Sequence, residues 1–550
     1  MPADRVVTGR DAERIEWDAI VIGTGMGGGM LGYRLARAGR RVLFVEKGRS
    51  TLPGAPDAIR GGMPELVDPP TCRSGATYFD ALARAGRSDD EITDISGRFP
   101  RRFVPFIGAG TGGSSALYGM VCERFFAADF TPREHFADPG DSTVPEAWPI
   151  DYPTLAPWYA EAEWLLGVRG GPDPLRPESA AAGLPAAPPF SPDNQPLVNY
   201  LTGRGLHPYH LPMACEYTDQ CRTCQAYLCP RGCKNDSARC GVLPAVTEHG
   251  AQLLTGCPVV RLEADERRVQ RVVCRYGSDM LALRAKVVVL AAGALATPVL
   301  LLNSRSGDWP RGLANGSDMV GRNLMRHVVD WIELWPYRGC RITAENKEIG
   351  FNDFYFVDGQ KYGTVQSAGA MASLAPFEAL MNQPGAIARA LRLVRPVARP
   401  VYERAVSGGL VLAAIMEDLP YRDNRVLPPD RPSYDGRQRL RLRYRLHRNE
   451  IERRRDFLGR LREVLAPFRT LTLRTGDSNS TLGHVCGTAR FGTDPATSVL
   501  NADNRAHEVE NLYVVDASFF PSSAGLNPSL TIAANALRVA AHIDDAHFPS

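Results

Sequence analysis

A cluster of glycines near the start of the chain has the spacing of a phosphate-binding turn. Gly23, Gly25 and Gly28 follow a short apolar run and open a helix-like segment that ends at Gly39, and Glu46 closes a second apolar run. Glycines at this spacing let the backbone turn sharply, approach a pyrophosphate and pack a helix onto a sheet. The helix N-terminus offers unpaired N–H groups to the anion, and Glu46 is placed to accept a hydrogen bond from a ribose hydroxyl. The spacing predicts a dinucleotide site and leaves open which dinucleotide binds.

Two further stretches of small residues indicate backbone that passes close to a flat ligand. The first lies in Gly108 to Phe125, where the residues from Gly108 to Ser115 are small, and the second is the Ala-Ala-Gly-Ala sequence at 291–294. Larger side chains would collide with a ligand held against the backbone. Both stretches are therefore candidate cofactor contacts.

A cysteine cluster is the least ordinary feature of the composition. Twelve cysteines are present, and six of them lie between Cys215 and Cys240. The N-terminus lacks the apolar segment of an export signal, so the cluster indicates a metal site or reduced thiols in preference to a disulfide framework. Thiolates on one loop can converge on zinc or on an iron–sulfur cluster. A loop of packed thiols or a structural disulfide is the alternative. The candidate metal ligands are Cys221, Cys224, Cys229 and Cys233.

The remaining pattern predicts the elements that carry these stretches. Trp17 to Gly48 reads as strand, turn, helix and strand, and 286–304 as a buried strand that runs into a second helix. Alternating short strands from about 328 to 478 predict a separate domain with a mostly antiparallel sheet. The predicted fold class is α/β, with a Rossmann-like nucleotide-binding domain built from discontinuous segments and an α+β substrate domain. The predicted boundaries are 14–195, 243–327 and 479–550 for the first domain, 196–242 for a cysteine-rich insert and 328–478 for the second domain.

Composition and charge exclude several classes of function. The chain is 44% hydrophobic and 23% charged with a net charge of +3, which fits a globular protein and implies no nucleic-acid partner. No apolar run approaches the roughly 18–20 residues that span a bilayer. The basic, apolar-faced stretch from Ile387 to Ser407 is interpreted as a lid or surface helix in preference to a membrane contact. We therefore expect a cytoplasmic protein that acts on a small molecule.

The C-terminal stretch from Gly483 to Ile543 resembles the C-terminal signature of the glucose–methanol–choline (GMC) oxidoreductases. It contains His484 ahead of a Gly-Thr pair, a strand that ends at Asp516, and Asn527 before the proline that opens the last helix. The resemblance covers most of the chain and implies an FAD enzyme that oxidises alcohols. Blocks similar to those of the family also occur at 108–125, 148–168, 291–294, 319–327 and 419–426.

The resemblance implies roles for individual residues. His484 is the base that takes the hydroxyl proton while hydride leaves the carbon for the flavin, a task that suits a side chain with an ordinary pKa of about 6.5. Asn527 holds the same oxygen, and it can also cap the last helix. FAD is expected to be non-covalent, because no histidine lies between Ser114 and Gly119. The implied cofactor-binding residues are Gly23, Gly25, Gly28, Glu46, Gly110, Gly112, Gly113, Ser114, Val260, Ala292, Gly293, Asp516, Pro528 and Ser529.

The substrate and the electron acceptor are less closely defined by the resemblance. We expect oxidation of a hydroxyl on a sugar-like, aminocyclitol or aminoglycoside-type molecule, with a sterol or long-chain alcohol, or an FAD-dependent lyase reaction, as alternatives. Oxygen or another acceptor removes the electrons. Some dehydrogenases of the family hold an iron–sulfur cluster on comparable cysteines, but Cys233 stands here where alanine is usual.

Several other polar residues have a structural interpretation at this stage. Glu345, Glu348 and Asp353 could contact a ligand that carries hydroxyl or amino groups, but a solvated surface position is the preferred interpretation for each of them. His327 lies in one of the matched blocks and is interpreted as structural.

Overall fold

The structure, a computed structural model, covers most of the chain. It describes residues 9–549 except 54–58, 60–81, 177, 179–182, 220, 222, 224, 336–346, 370–389, 391–392, 407–408, 430–438 and 480–481. The strands are β1 (Glu16–Ile22), β2 (Val42–Val45), β3 (Ile92–Asp94), β4 (Arg101–Phe103), β5 (Val168–Arg169), β6 (Tyr209–His210), β7 (Met213–Ala214), β8 (Gln252–Leu254), β9 (Val259–Ala264), β10 (Val269–Tyr276), β11 (Asp279–Leu290), β12 (Val328–Trp335), β13 (Ile349–Phe351), β14 (Phe356–Val357), β15 (Gln360–Lys361), β16 (Gly363–Ser367), β17 (Leu410–Met416), β18 (Arg425–Leu427), β19 (Leu440–Arg443), β20 (Arg469–Arg474) and β21 (Leu512–Val514). The helices are α1 (Gly9–Arg14), α2 (Met26–Arg37), α3 (Tyr152–Leu165), α4 (Gln195–Gly203), α5 (Leu243–Thr247), α6 (Ala296–Asn303), α7 (Arg395–Val406), α8 (Arg448–Val464) and α9 (Ser529–His547).

The first sheet has seven strands and forms the nucleotide-binding half of the molecule. Its order is β8-β2-β1-β11-β10-β9, and β21 pairs with β11. The strands from β8 to β11, together with β21, run parallel, whereas β9 to β11 form an antiparallel meander. The central strands are buried on both faces, as their unbroken apolar runs predict. α2 and α9 pack together beside this sheet, so the first and last segments of the chain share one core.

The second sheet has six strands in the order β20-β12-β17-β16-β13-β6, and all of its pairs are antiparallel. α8 covers it with the buried side chains of Phe457, Leu458 and Leu461. The predicted combination of a Rossmann-like domain with a mostly antiparallel second domain is confirmed.

The sheets do not follow the predicted domain boundaries at two places. β6 comes from the predicted cysteine-rich insert, yet it forms the edge of the second sheet. A separate four-stranded sheet, β18-β19-β3-β4, joins residues 92–103 to residues 425–443. The division into domains at the stated residues stays a prediction.

The stretch from Ile387 to Ser407 contains a helix, α7, from Arg395 onwards. Residues 387–389, 391–392 and 407 of this stretch lie outside the described part. In the described ranges, no helix is both long and apolar enough to cross a membrane.

Candidate active site

The glycine turn between β1 and α2 has the tight geometry that its spacing predicts. Gly23 has φ +97°, and a Cβ there would lie 2.4 Å from the carbonyl oxygen of Ala291. A Cβ on Gly28 would lie 2.1 Å from the carbonyl oxygen of Gly23. Gly25 differs, because a Cβ there would meet nothing within 4 Å. The turn is therefore closed against its own sheet and open at the helix N-terminus, where a pyrophosphate group fits.

Glu46 ties this turn to the loop that begins at Gly108. Its Oε2 accepts hydrogen bonds from the backbone N (3.2 Å) and Oγ1 (2.7 Å) of Thr24, and its Oε1 accepts from the backbone N atoms of Gly48 (2.9 Å) and Gly110 (3.2 Å). Glu46 is buried, and these four bonds make it the organiser of the turn. Its contact with a ribose hydroxyl stays a prediction.

The predicted loop contacts lie beside the same turn. The backbone N of Gly112 donates to Thr24 Oγ1 at 3.2 Å, and a Cβ on Gly113 would lie 3.0 Å from the Cα of Gly25. Ser114 follows at the start of a short 3-10 helix. Val260 is half-buried in β9, at the edge of the first sheet. Their contacts with a cofactor remain predictions.

Asp516 joins the two strand ends at the centre of the first sheet. It lies just after β21, and its Oδ2 accepts from the backbone N of Gly293 (3.0 Å) and from Thr297 Oγ1 (2.5 Å). Ala292 and Gly293 form the turn after β11, where a Cβ on Gly293 would meet nothing within 4 Å. Pro528 and Ser529 open α9. A carboxylate thus fixes the geometry of a second small-residue turn, whose contact with the flavin stays a prediction.

His484 is placed by pairing between two segments that are far apart in sequence. Met325 and Cys486 form an antiparallel bridge, and the backbone N of His327 donates to the carbonyl oxygen of Gly483 at 3.2 Å. His484 itself has φ +54°, a left-handed conformation that is uncommon for a residue other than glycine and is characteristic of functional sites. The pairing sets the His327 and His484 rings side by side.

The two histidine rings meet edge to face. Their Nδ1 atoms are 2.8 Å apart, and the ring planes make an angle of 82°. His327 Nε2 lies 3.1 Å from the carbonyl oxygen of Ser523 and 3.0 Å from that of Ala524. Burial lowers the pKa of His327 to about 4, and burial with the neighbouring His327 and Lys347 holds the pKa of His484 well below its ordinary value. Both rings are therefore neutral at physiological pH, as a general base requires.

Asn527 is oriented by a second amide that sequence reasoning missed. Gln366 of β16 donates from Nε2 to Asn527 Oδ1 at 2.7 Å. Because the oxygen of Asn527 is occupied, its Nδ2 group is left to donate to a substrate oxygen. Asn527 is buried with 9% of its surface exposed. It is not the N-cap of α9, a place that Pro528 takes.

The loop from Ser522 to Asn527 is fixed by buried polar groups. The backbone N of Gly525 donates to Tyr355 Oη at 2.8 Å, and Tyr355 Oη donates to Asp129. The indole N–H of Trp148 donates to Ser522 Oγ at 2.7 Å. A rigid loop positions both the carbonyl groups that contact His327 and the amide of Asn527.

Lys347 is a buried amine near His484 that no motif revealed. Its Nζ donates to Gln225 Oε1 at 3.1 Å, and its backbone N donates to Thr223 Oγ1 at 2.9 Å. Burial lowers the pKa of Lys347 to about 7. A Cβ on Gly119 would lie 2.7 Å from Nζ, so the amine lies beside the end of the small-residue loop.

Within the described part of the cysteine cluster, several thiol groups have close polar neighbours. Cys215 and Cys221 have their Sγ atoms 3.3 Å apart, and Cys233 Sγ lies 3.0 Å from Thr218 Oγ1. The contact with Cys215 lowers the pKa of Cys221 to about 6. Cys229 is half-buried. Cys224 lies outside the described residues, and among those described no group of three His, Cys, Asp or Glu side chains is arranged to hold a metal ion.

The acidic candidates of the second domain have structural partners. Glu348 is buried, and its Oε2 accepts from the backbone N and Oγ of Ser191 and from Asn194 Nδ2, so the interpretation as a solvated surface residue is wrong. Asp353 accepts from His207. Glu345 lies outside the described residues.

Comparison with known proteins agrees with this geometry. A family model described as GMC oxidoreductase matches residues 18–329, and a second, also described as GMC oxidoreductase, matches residues 420–536. The chain is 30% identical to paromamine 6'-oxidase of Streptomyces fradiae over 565 residues, which cover 96% of this chain and 92% of the relative. It is also 30% identical over 554 residues to 6'''-hydroxyparomomycin C oxidase of Streptomyces lividus, with 97% of this chain and 92% of the relative covered.

A solved structure has the same fold. Pyridoxine 4-oxidase from Mesorbium loti aligns with a TM-score of 0.62 and 21% identity over 96% of this chain and 99% of that one. The chain therefore belongs to the GMC oxidoreductases, a family of flavin-dependent alcohol oxidases and dehydrogenases.

Proposed function

We propose that this protein oxidises a hydroxyl group of an aminoglycoside-type amino sugar to a carbonyl group, with His484 as the base. The observation that carries the chemistry is the neutral, half-buried His484, whose partner His327 contacts the same loop that carries Asn527. FAD, when bound, accepts the hydrogen and the electron pair that leave the substrate carbon. His484 takes the hydroxyl proton, and the Nδ2 group of Asn527 donates to the same oxygen and aligns the substrate.

The substrate class is supported by the relatives. Two of them, both 30% identical over nearly the whole chain, are named as oxidases of paromamine and of 6'''-hydroxyparomomycin C. Their names also favour oxygen as the electron acceptor. Paromamine is therefore the first compound to test.

The test is anaerobic addition of paromamine to the oxidised FAD-bound protein. We expect loss of the flavin absorbance band in the wild-type protein and a reduction rate about 10² to 10⁴ times lower in His484→Gln. His207→Gln is the matched control, because His207 is paired with Asp353, and it should bleach at the wild-type rate. Equal rates in wild type and His484→Gln would show that His484 is not the base.

The alternative substrates, the lyase reaction and the electron acceptor each predict a different result in the same experiment. Bleaching by 1-dodecanol or a sterol but by no amino sugar would replace the proposed substrate with a long-chain or sterol alcohol. Consumption of substrate while the flavin stays oxidised would indicate a lyase. Reoxidation on admission of air, at a rate that supports turnover, would identify oxygen as the acceptor.

The cofactor content is tested separately. We expect acid precipitation to release all of the FAD, as non-covalent binding requires. Iron and zinc are expected below one atom per chain, since the described cysteines form no metal site. A stoichiometric metal would restore the iron–sulfur or zinc hypothesis for the cysteine loop.

A further inference from the structure

The contact between the two histidines carries information about where the protons lie. Two ring nitrogens 2.8 Å apart must share one proton, because two lone pairs or two N–H groups would repel each other at that distance. Since both rings are neutral, each carries one proton on one of its two nitrogens. The remaining contacts of His327 decide which nitrogen of each ring is protonated.

His327 is held in one tautomer by the loop that precedes Asn527. Its Nε2 lies within hydrogen-bond distance of two carbonyl oxygens, those of Ser523 and Ala524. Carbonyl oxygens only accept hydrogen bonds, so Nε2 is the protonated nitrogen. A neutral ring with Nε2–H has a lone pair at Nδ1, and His327 Nδ1 therefore accepts from His484.

The protonation of His484 follows from that of His327. His484 Nδ1 is the donor of the shared hydrogen bond, so His484 Nε2 carries the lone pair. Within the described part of the chain, Nδ1 is the ring atom of His484 that has a hydrogen-bond partner, and Nε2 has none. We propose that His327 is a positioning residue that fixes His484 as the Nδ1–H tautomer, so that Nε2 is the atom that takes the substrate proton. This inference rests on the proposed role of His484 as the base.

The same bond also stabilises the charged form of His484. Once Nε2 has taken a proton, the bond from Nδ1–H to His327 becomes charge-assisted and shortens. The charged groups that face the pair are Lys347 towards His484, and Asp129 and Lys361 towards His327. None of the three has a hydrogen bond to either ring in the described residues, so the carbonyl groups of Ser523 and Ala524 set the tautomer.

The direct test is nitrogen NMR of the FAD-bound protein with ¹⁵N-labelled histidine. The chain has ten histidines, and the resonances that disappear in His484→Gln assign the ring. We expect the wild-type protein to show His484 with a protonated Nδ1 and an unprotonated Nε2. A protonated Nε2 on neutral His484 would overturn the proposal, whatever substrate the protein oxidises.

A pair of variants of equal size tests the role of His327. His327→Asn keeps an amide oxygen that can accept from His484, whereas His327→Leu offers no acceptor. We expect His327→Leu to show a mixture of His484 tautomers and a flavin reduction rate on the order of 10² lower, and His327→Asn to keep the Nδ1–H form and stay within about tenfold of wild type.

The outcomes separate this inference from the proposed function. A His327→Leu protein that keeps the Nδ1–H tautomer and the wild-type rate would overturn the role of His327. If His327→Leu fails to retain FAD, the wild-type and His327→Asn spectra still decide the tautomer. A protein with the expected tautomer that is bleached by no alcohol supports the proton arrangement and contradicts the proposed function alone.

Discussion

At the scale of single residues, the site combines groups that a motif predicts with groups that only the fold brings close. His484 and Asn527 lie in the C-terminal signature of the GMC oxidoreductases, which predicts them as catalytic residues from the sequence alone. His327, Gln366 and Lys347 contact or influence them from distant positions in the chain. No spacing rule links residues about 150 positions apart, so a sequence alone could not show that His327 contacts His484.

We predict that Lys347 shifts the acid limit of the flavin reduction rate. Burial, His327 and the positive charge of Lys347, in that order of size, all lower the pKa of His484. Lys347 itself is charged below its pKa of about 7. Replacing it with methionine removes that charge, so the pKa of His484 should rise and the base should be lost at a higher pH. We expect the acid limb of the flavin reduction rate to move up by about half to one pH unit in Lys347→Met.

The control for this shift is another lysine that is remote from the site. Lys286 is half exposed, pairs with Asp18 between β11 and β1, and is not among the charges that lower the pKa of His484, so Lys286→Met should leave the pH profile unchanged. A profile in Lys347→Met that coincides with wild type, or that moves to lower pH, would show that the amine does not act on His484.

At the scale of elements, apolar pattern predicted strands well where a strand is buried on both faces. The apolar runs predicted as strands within Trp17 to Gly48 form β1 and β2, and the buried strand predicted within 286–304 forms the end of β11. β6 was not predicted, since a two-residue strand has no periodicity and forms only because β13 offers it an edge. Local pattern therefore predicts buried strands, and long-range pairing decides the edges.

Two glycines of the turn at the start of α2 are expected to have different roles, Gly28 in the fold and Gly25 in cofactor binding. An alanine at Gly28 would place its Cβ 2.1 Å from a backbone oxygen, so the turn would have to open. An alanine at Gly25 meets no protein atom within 4 Å, and the backbone there (φ −62°, ψ −175°) suits any residue. We expect Gly28→Ala to lower the thermal stability of the apoprotein as well as its FAD content.

We expect Gly25→Ala, in contrast, to leave the apoprotein stable and to weaken FAD binding at least about tenfold, because the methyl group occupies the space of the pyrophosphate. Quenching of FAD fluorescence on titration with apoprotein measures the affinity, and circular dichroism melting measures the stability. Wild-type affinity in Gly25→Ala would mean that the pyrophosphate does not lie at this turn.

At the scale of the whole molecule, one buried ionic cluster connects the two main cores. Lys361 Nζ lies 2.6 Å from Asp129 Oδ1 and 2.6 Å from Glu417 Oε2, and all three side chains are fully buried. Asp129 precedes Phe130 of the first core, whereas Glu417 follows β17 of the second sheet. Burial alone would lower the pKa of Lys361, but the two carboxylates hold it above its ordinary value. The lysine therefore stays charged between the two carboxylates where the halves meet.

The loop of Asn527 depends on this cluster through Tyr355. The tyrosine hydroxyl donates to Asp129 and accepts from the backbone N of Gly525. These hydrogen bonds connect the interface between the two cores to the loop that orients both His327 and Asn527. This explains why the sequence motifs around His484 and Asn527 could not reveal which residues hold them in place.

Removing the charge of Lys361 should therefore destabilise the whole protein. Lys361→Met leaves two carboxylates buried without a cation, a change that costs about 3–5 kcal/mol in buried pairs, and we expect a lower thermal midpoint for the FAD-bound protein. Adding Asp129→Asn and Glu417→Gln to Lys361→Met removes the unpaired charges and should recover most of the loss. Arg448→Met is the control, because the ion pair of Arg448 with Glu452 is exposed. Its thermal midpoint should equal that of the wild-type protein. The cluster does not hold the two cores together if Lys361→Met has the thermal midpoint of the wild-type protein, or if the triple variant has a midpoint no higher than that of Lys361→Met.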